Sequence, residues 1–169
     1  MIVQELKKLK LQSELLSVRR HCSDDDLVGS VEYVNDELLV LCLWNDEGRF
    51  NGYTVFEIGQ INELIWGSRE HKAIAMLAKR STDKPSFSLK SQSFFDALQE
   101  LSQQHDTVCL YHEHGENSFD IAKIEDLNGE WLKISTFGPK RTLSRTNKLL
   151  YLKHLLRMTV NSPYQESII

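Results

Sequence analysis

The feature that most constrains the fold of this chain is a pattern of apolar runs and turn residues that occurs twice. The first copy runs from Leu27 to Trp66 and the second from Phe119 to Val160. An offset of about 93 residues places Val31 on Ile124, and after the next loop the offset is one residue longer. Self-similarity at a long, fixed spacing is typical of a duplicated unit. The sequence therefore predicts two copies of one fold.

The composition is that of ordinary globular material. The chain has 169 residues, of which 41% are hydrophobic and 26% are charged, and this is enough for two small domains. We predict a first domain over residues 1–80 and a second over residues 91–169. Residues 81–90, with the sequence STDKPSFSLK, form the predicted linker.

Each copy contains the signals of five short strands. Turn residues such as Asn35-Asp36 and Asn128-Gly129 separate the apolar runs, and Ile58 to Ile61 predicts a single helical turn before the last strand. The predicted fold class is therefore mainly β with flanking helices (α+β). It consists of two tandem five-stranded Sm-like or SH3-like barrels, each preceded and followed by a helix.

The flanking helices have their own signals. Apolar residues recur with helical spacing from Ile2 to Leu9 and from Phe94 to Leu101. Ser68, Ser93 and Ser162 stand where helices are expected to begin, and serine is a favoured residue at that position.

The third strand of the first copy is apolar on both faces. The face with Leu39, Leu41 and Leu43 is also apolar in the second copy, so it predicts the core. We expect a helix, the other barrel or a second chain to cover the opposite face, because large exposed apolar patches are uncommon on monomers. That face consists of Leu38, Val40, Cys42 and Trp44.

A basic stretch is the sharpest charge feature. The net charge of −4 argues against a polyanion binder as a whole, yet no acidic residue occurs between Trp131 and Tyr164. Three interpretations stay open: a surface that follows a phosphate backbone, a face paired with acids inside the fold, and a protein contact. The basic residues are Lys133, Lys140, Arg141, Arg145, Lys148, Lys153 and Arg157.

Two groups of residues could hold a metal ion. His112 and His114 lie two residues apart on one strand, with Glu116, His105 and His154 as possible neighbours, and imidazole suits zinc, copper or nickel. The alternative interpretation is a polar strand edge, and no cofactor is expected.

Acidic loops form the second group. Asp24-Asp25-Asp26 and Asp46-Glu47 are expected at one end of the first barrel, where carboxylates suit a hard cation. Their alternative role is in solvated turns. Because Lys140 and Arg141 hold the equivalent end of the second barrel, opposite charges also predict a head-to-tail contact between these ends.

The cysteines and the chain start bear on location. Cys22, Cys42 and Cys109 show no metal or disulfide spacing, which favours a reducing cytoplasm. The start MIVQELKKLK does not resemble a secretory signal, and no apolar run approaches the roughly 20 residues of a membrane span. We expect a cytoplasmic protein that does not enter a membrane.

Signals of catalysis are absent from the sequence. It has no Gly-x-Ser-x-Gly motif, no serine or cysteine beside a recognisable base, and no glycine loop for phosphate. We therefore expect that the protein is not an enzyme.

The order of helix, five strands and helix, written twice, resembles a group of bacterial proteins made of tandem small barrels of Sm-like or SH3-like type. RNA-binding Sm proteins carry an Asp and Asn pair after strand two and an Arg-Gly step between strands four and five. Here those places hold Asn35-Asp36 and Gly59-Gln60, so the basic half of the signature is missing. The resemblance implies the fold and no site residues.

The favoured function is that of a non-enzymatic interaction or scaffold protein that binds a protein partner or self-associates. The alternative is a nucleic-acid-binding protein that uses the basic second barrel, residues 133–157. The residues predicted for the partner surface are Leu38, Val40, Trp44, Lys140, Arg141, Arg145 and Lys148.

Overall fold

A computed structural model describes residues 1–80, 83–113, 119–137 and 145–168. The helices are α1 (Ile2–Leu11), α2 (Arg69–Ala78), α3 (Phe94–Gln104) and α4 (Pro163–Ile168), with single 3-10 turns at Ile58–Gln60 and Leu152–His154. The strands are β1 (Leu15–Arg20), β2 (Leu27–Val34), β3 (Leu38–Trp44), β4 (Phe50–Glu57), β5 (Ile61–Trp66), β6 (Val108–His112), β7 (Phe119–Leu127), β8 (Trp131–Thr136), β9 (Asn147–Tyr151) and β10 (Leu155–Val160).

Serine residues start three of the helices, as predicted. The side chains of Ser68, Ser93 and Ser162 each accept a hydrogen bond from the backbone N–H three residues further on, at 3.1, 3.2 and 3.1 Å. These bonds satisfy N–H groups that have no partner within the first helical turn. The helix starts are thus fixed by local sequence.

The strands form one antiparallel ten-stranded sheet in the order β5-β1-β2-β3-β4-β10-β6-β7-β8-β9. The prediction of two tandem five-stranded barrels is wrong, although the mainly-β class and the flanking helices are correct. β4 pairs with β3 on one side and with β10 of the second half of the chain on the other. At this second contact Tyr53 lies opposite Val160 and Thr54 opposite Thr159. The sheet continues across this junction and does not close into a barrel.

The two halves of this sheet share their strand order. The first half reads β5-β1-β2-β3-β4 and the second reads β10-β6-β7-β8-β9. Val31 pairs with Leu41 in the first half, and Ile124 pairs with Ile134, their counterparts, in the second. The register of the sheet therefore agrees with the offset between the two copies of the sequence pattern. The division into two domains at residues 81–90 stays a prediction.

Hydrophobic clusters lie on both faces of the first half. On one face, Leu6 and Leu9 of α1 pack in a cluster with Leu39, Leu41 and Leu43 of β3, as predicted for the core. The opposite face of β3 belongs to a second cluster that reaches across the junction. Its members include Leu38, Val40, Cys42, Ala97, Leu98, Leu101, Leu110, Leu132, Ile134 and Met158.

The cover expected for the outer face of β3 is provided by this chain itself. Leu98 and Leu101 of α3 belong to the cluster on that face, and so does Leu89 from the segment before α3. Through Leu89, residues 83–90, part of the predicted linker, contribute to the core. Burial also raises the pKa of the Cys42 thiol to about 11, so the thiol stays protonated at neutral pH.

Candidate functional site

The end strands of the sheet are the most unusual feature of the surface. Among the described residues, β5 pairs only with β1 and β9 pairs only with β8. None of the six residues of β5 is buried, and Trp66 is 42% exposed. Leu149 of β9 is 65% exposed. Each end strand therefore combines an unpaired backbone edge with exposed apolar side chains, which proteins usually avoid.

A cavity of about 570 Å³ lies beside β9. It is bounded by β9, by the end of β6, by the starts of β7 and β8 and by the 3-10 turn that precedes β10. The lining residues are His112, Glu113, Phe119, Asp120, Trp131, Lys148, Leu149, Leu150, Tyr151 and His154.

The polar part of this cavity is organised around Asp120. One carboxylate oxygen lies 2.9 Å from His112 Nε2, and the other accepts a hydrogen bond from Lys148 Nζ at 2.8 Å. Burial raises the pKa of the Asp120 carboxyl, but the bonds to His112 and Lys148 outweigh it, and the pKa lies below its ordinary value. Asp120 is therefore ionised at neutral pH and holds the Lys148 ammonium in the cavity.

Aromatic rings line the rest of the cavity. The ring centroids of Trp131 and Tyr151 are 5.2 Å apart, and Tyr151 meets the His154 ring edge-on at 5.3 Å. Trp131 is 43% exposed. His154 Nδ1 lies 3.6 Å from a carboxylate oxygen of Glu113. The cavity is thus amphipathic, with ionic groups at one side and exposed rings at the other.

The corresponding place in the first half is filled by β10. Thr54 pairs with Leu41 as Lys148 pairs with Ile134, so Thr54 is the counterpart of Lys148. By the same offset, Gln60 is the counterpart of His154. Gln60 Nε2 donates a hydrogen bond to the backbone oxygen of Leu156 in β10 at 2.8 Å. The position that β10 fills beside β4 is therefore the position of the cavity beside β9.

The β4–β10 junction is tightly closed. Thr159 Oγ1 donates to Thr54 Oγ1 at 3.0 Å, and Arg157 Nη1 donates to the same two hydroxyls at 2.9 and 3.0 Å. The Arg157 guanidinium also lies 3.5 Å from the centroid of the Tyr111 ring, a cation–π contact. All six residues of β10 are buried.

Part of the predicted partner surface lies inside the fold. Leu38 and Val40 have no exposed area, and Trp44 is half-buried with its ring edge-on to Phe50 at 6.2 Å. Leu38 and Val40 cannot contact a second chain, because α3 and the second half of the chain pack on that face. The apolar outer face of β3 is an internal contact.

The basic members of the predicted surface have different positions. Lys148 lies in the cavity beside β9. Arg145 is exposed, with its guanidinium 3.8 Å from the centroid of the Phe137 ring. Lys140 and Arg141 lie outside the described residues, and so does the loop contact predicted from them.

The other basic residues of the stretch are not equivalent. Arg157 is buried at the β4–β10 junction, whereas Lys133 and Lys153 are exposed. Lys148 is paired with Asp120. The stretch is therefore not one continuous surface.

Neither candidate metal group is assembled within the described residues. No group of three or more His, Cys, Asp or Glu side chains there could hold a metal ion. His114 and Glu116 lie outside this part of the chain. Asp26 and Asp46 do line one cleft, which places the two acidic loops at the same end, but Asp26 accepts a hydrogen bond from Arg19 at 3.2 Å.

A buried histidine was not singled out from the sequence. His71 of α2 lies 2.7 Å from the hydroxyl of Ser17 in β1 through Nε2 and 2.7 Å from that of Ser68 through Nδ1. Both Ser17 and His71 are buried. The contact fixes α2 on β1, and the sequence signal for it is limited to the position of His71 three residues after the helix-starting serine.

No helix within the described residues is long and apolar enough to cross a membrane. Comparison of the chain with known proteins found no matching family model, no matching curated protein and no matching solved structure, so the resemblance to small-barrel proteins stays a prediction about family.

Proposed function

We propose that this protein is a non-enzymatic, self-assembling protein whose copies join edge to edge, with β5 of one copy paired to β9 of the next. The observation that carries the proposal is the cavity beside β9, which occupies the position that β10 fills beside β4. β5 is the counterpart of β10 in sequence offset and in strand order. The chain thus contains both members of a second junction.

The character of the two edges supports this proposal. An added strand satisfies the unpaired backbone groups of an edge, which is a general mode of protein recognition. It would also remove the exposed apolar surface of Leu149 and Trp66 from water, at roughly 25 cal/mol per Å². No proline lies within β5 or β9 to block such pairing.

The geometry of the contact determines the kind of assembly. β5 and β9 are different surfaces at opposite ends of the sheet, so each copy can bind one neighbour at each end. A contact of this heterologous type generates a closed ring if the rotation between copies closes, and a filament if it does not.

Complementary variants test the proposal. Leu149→Glu places a charge on the β9 edge, Trp66→Glu places one on the β5 edge, and both residues are exposed in the single chain. We expect each variant to sediment as a monomer, because one edge of every copy is blocked. A mixture of the two should form a 1:1 dimer through the remaining intact pair of edges.

The matched control is Leu11→Glu, which changes an 88% exposed leucine at the end of α1, outside both edge strands. It should assemble like the unmodified protein. An unmodified protein that stays monomeric at all concentrations, or a mixture of the two edge variants that forms no dimer, would contradict the proposal.

Nucleic-acid binding is the second candidate. It is favoured by Trp131, which is exposed beside Tyr151, and by the nearby charge of Lys148. Exposed aromatic rings stack on bases at roughly 1–3 kcal/mol per base. Fluorescence anisotropy with single-stranded oligonucleotides tests this candidate. Salt-sensitive binding that Trp131→Ala weakens at least tenfold, and that Trp66→Ala leaves unchanged, would favour it over self-assembly alone.

A further inference from the structure

Resting on the self-assembly proposed above, we infer that the two edges meet in the register of the β4–β10 junction and that Glu63 of one copy forms an ion pair with Lys148 of the next. The inference concerns the specificity of the contact. It depends on how residues of the existing junction map onto the two free edges.

The register follows from the correspondence of β5 and β10. Each strand begins directly after a single 3-10 turn, and each ends before a residue in the left-handed conformation, Gly67 at φ 80° and Asn161 at φ 60°. The two strands therefore correspond residue for residue. Because Val160 lies opposite Tyr53, Trp66 of one copy should lie opposite Asn147 of the next.

The ion pair follows from one side-chain contact in the junction. Arg157 Nη1 reaches Thr54 Oγ1 at 3.0 Å, although Arg157 lies two residues before the direct partner of Thr54. Such diagonal neighbours on one face of a sheet are within reach of long side chains. Glu63 holds the position of Arg157 in β5, and Lys148 holds the position of Thr54 in β9.

Both residues already have partners within the chain. Arg19 Nη1 lies 3.0 Å from Glu63, and Asp120 lies 2.8 Å from Lys148. Both Glu63 and Lys148 are about half-exposed, so each can accept a second partner. The contact between copies would then align Arg19, Glu63, Lys148 and Asp120 in a row of alternating charge.

This row would select the pairing of unlike edges. Pairing of two β5 edges would bring the Glu63 side chains of the two copies close together. Pairing of two β9 edges would do the same for the two Lys148 side chains. Like charges at close range disfavour both arrangements. The junction within the chain needs no such device, because β4 and β10 are joined by the same polypeptide and meet through threonine hydroxyls and Arg157.

A double-mutant cycle in the dimer of edge variants tests the ion pair. The Leu149→Glu copy supplies an intact β5 and carries Glu63→Gln, and the Trp66→Glu copy supplies an intact β9 and carries Lys148→Gln. We expect each substitution alone to raise the Kd of the dimer about two- to fivefold, the range of a partly exposed ion pair. Both together should raise it no more than the larger single effect.

Salt dependence and a control variant complete the cycle. The dimer with both charges should weaken between 50 and 500 mM salt more than the dimer with neither, on the order of the same two- to fivefold. Lys133→Gln, an exposed lysine on β8, should leave the Kd unchanged. Additive effects of Glu63→Gln and Lys148→Gln would overturn the ion pair.

Disulfide trapping tests the register separately. Trp66→Cys in one copy and Asn147→Cys in the other, both with Cys22→Ser, should form a covalent dimer under mild oxidation, because directly opposed cysteines can be bridged. Trp66→Cys with Lys148→Cys, a slip of one residue, should form much less. If the edge variants dimerise and the slipped pair cross-links better, the register inference is wrong and self-assembly stands. If they do not dimerise, both are wrong.

Discussion

β10 and β5 occupy the same place in the two halves of the sheet, yet one is buried and the other is exposed. All six residues of β10 are buried, whereas none of the six residues of β5 is. β10 has β4 on one side and β6 on the other, while β5 has only β1 among the described residues. The difference therefore comes from the second neighbour. Trp66 of β5 therefore stays exposed, because no second strand within the described residues packs beside it.

The strands that accept a neighbour differ in the same way. In β4 the residues that meet β10 are buried and include Thr54, whose hydroxyl bonds to Thr159. In β9 the residues at the same places are Asn147, Lys148 and Leu149, and all three are exposed. An obligatory contact within a chain can use neutral hydroxyls. A contact between separate copies benefits from charge, because charge also steers the encounter.

The largest expected effect comes from truncating equivalent apolar residues of the two strands. Met158 of β10 has no exposed area, and its counterpart Leu64 of β5 is half-buried. Met158→Ala should lower the free energy of unfolding by roughly 2–4 kcal/mol, since it leaves a cavity in the core. Leu64→Ala should cost clearly less in a monomeric background such as Leu149→Glu. Urea unfolding measures both, and equal losses would contradict the importance of the second neighbour.

A smaller effect is expected from the side chains that bridge the junctions. Gln60→Ala removes the donor to the Leu156 carbonyl and the acceptor of bonds from Arg20 and Cys22. It should cost roughly 1–3 kcal/mol of stability, because each of these groups loses a side-chain partner. His154→Ala changes the counterpart residue, which faces the cavity beside β9. We expect it to leave the unfolding of the Leu149→Glu monomer nearly unchanged. It should weaken the dimer of edge variants, as measured by sedimentation velocity.

Local features of this fold were predictable from the sequence because they depend on neighbouring residues. The serine starts of three helices are set within three residues. Alternation in β3 predicts that Leu39 and Leu41 are buried, and both are, although they pack with α1 and not inside a barrel. The offset between copies agrees with the register, because Val31 pairs with Leu41 and their counterparts Ile124 and Ile134 pair in the same way. The helix starts and the alternation in β3 are each visible within a single turn or strand.

Closure of the sheet was not predictable in this way. The choice between two barrels and one sheet depends on whether β4 pairs with its own half or with β10, which lies about 100 residues further along the chain. Both choices require apolar edge strands, so the periodicity of the sequence is the same for both.

The candidate site was not predictable for the same reason, because it depends on which strands lie side by side. Lys148 was noted as part of a basic stretch, but its contact with Asp120 becomes evident only when β7, β8 and β9 are placed side by side.

The smallest expected effect is the pH dependence of stability that comes from Asp120, which is paired with Lys148 in the second half. The first half lacks such a pair, because the counterpart of Lys148 is the neutral residue Thr54. Asp120 has a folded-state pKa below its ordinary value of 3.8, so the unfolded chain takes up its proton first as the pH falls. Its contribution to stability is therefore fully present above about pH 5 and is lost as the pH falls through 3.8 and then through the lower folded value.

The variant Asp120→Asn tests this contribution, because it keeps the shape of the side chain but cannot titrate. Urea unfolding of the Leu149→Glu monomer between pH 6 and pH 3 should show a shallower loss of stability for the Asn variant, and Asp83→Asn, an exposed acid, should follow the parent curve. Parallel curves for Asp120→Asn and the parent would show that the bonds from His112 and Lys148 do not favour the ionised carboxylate.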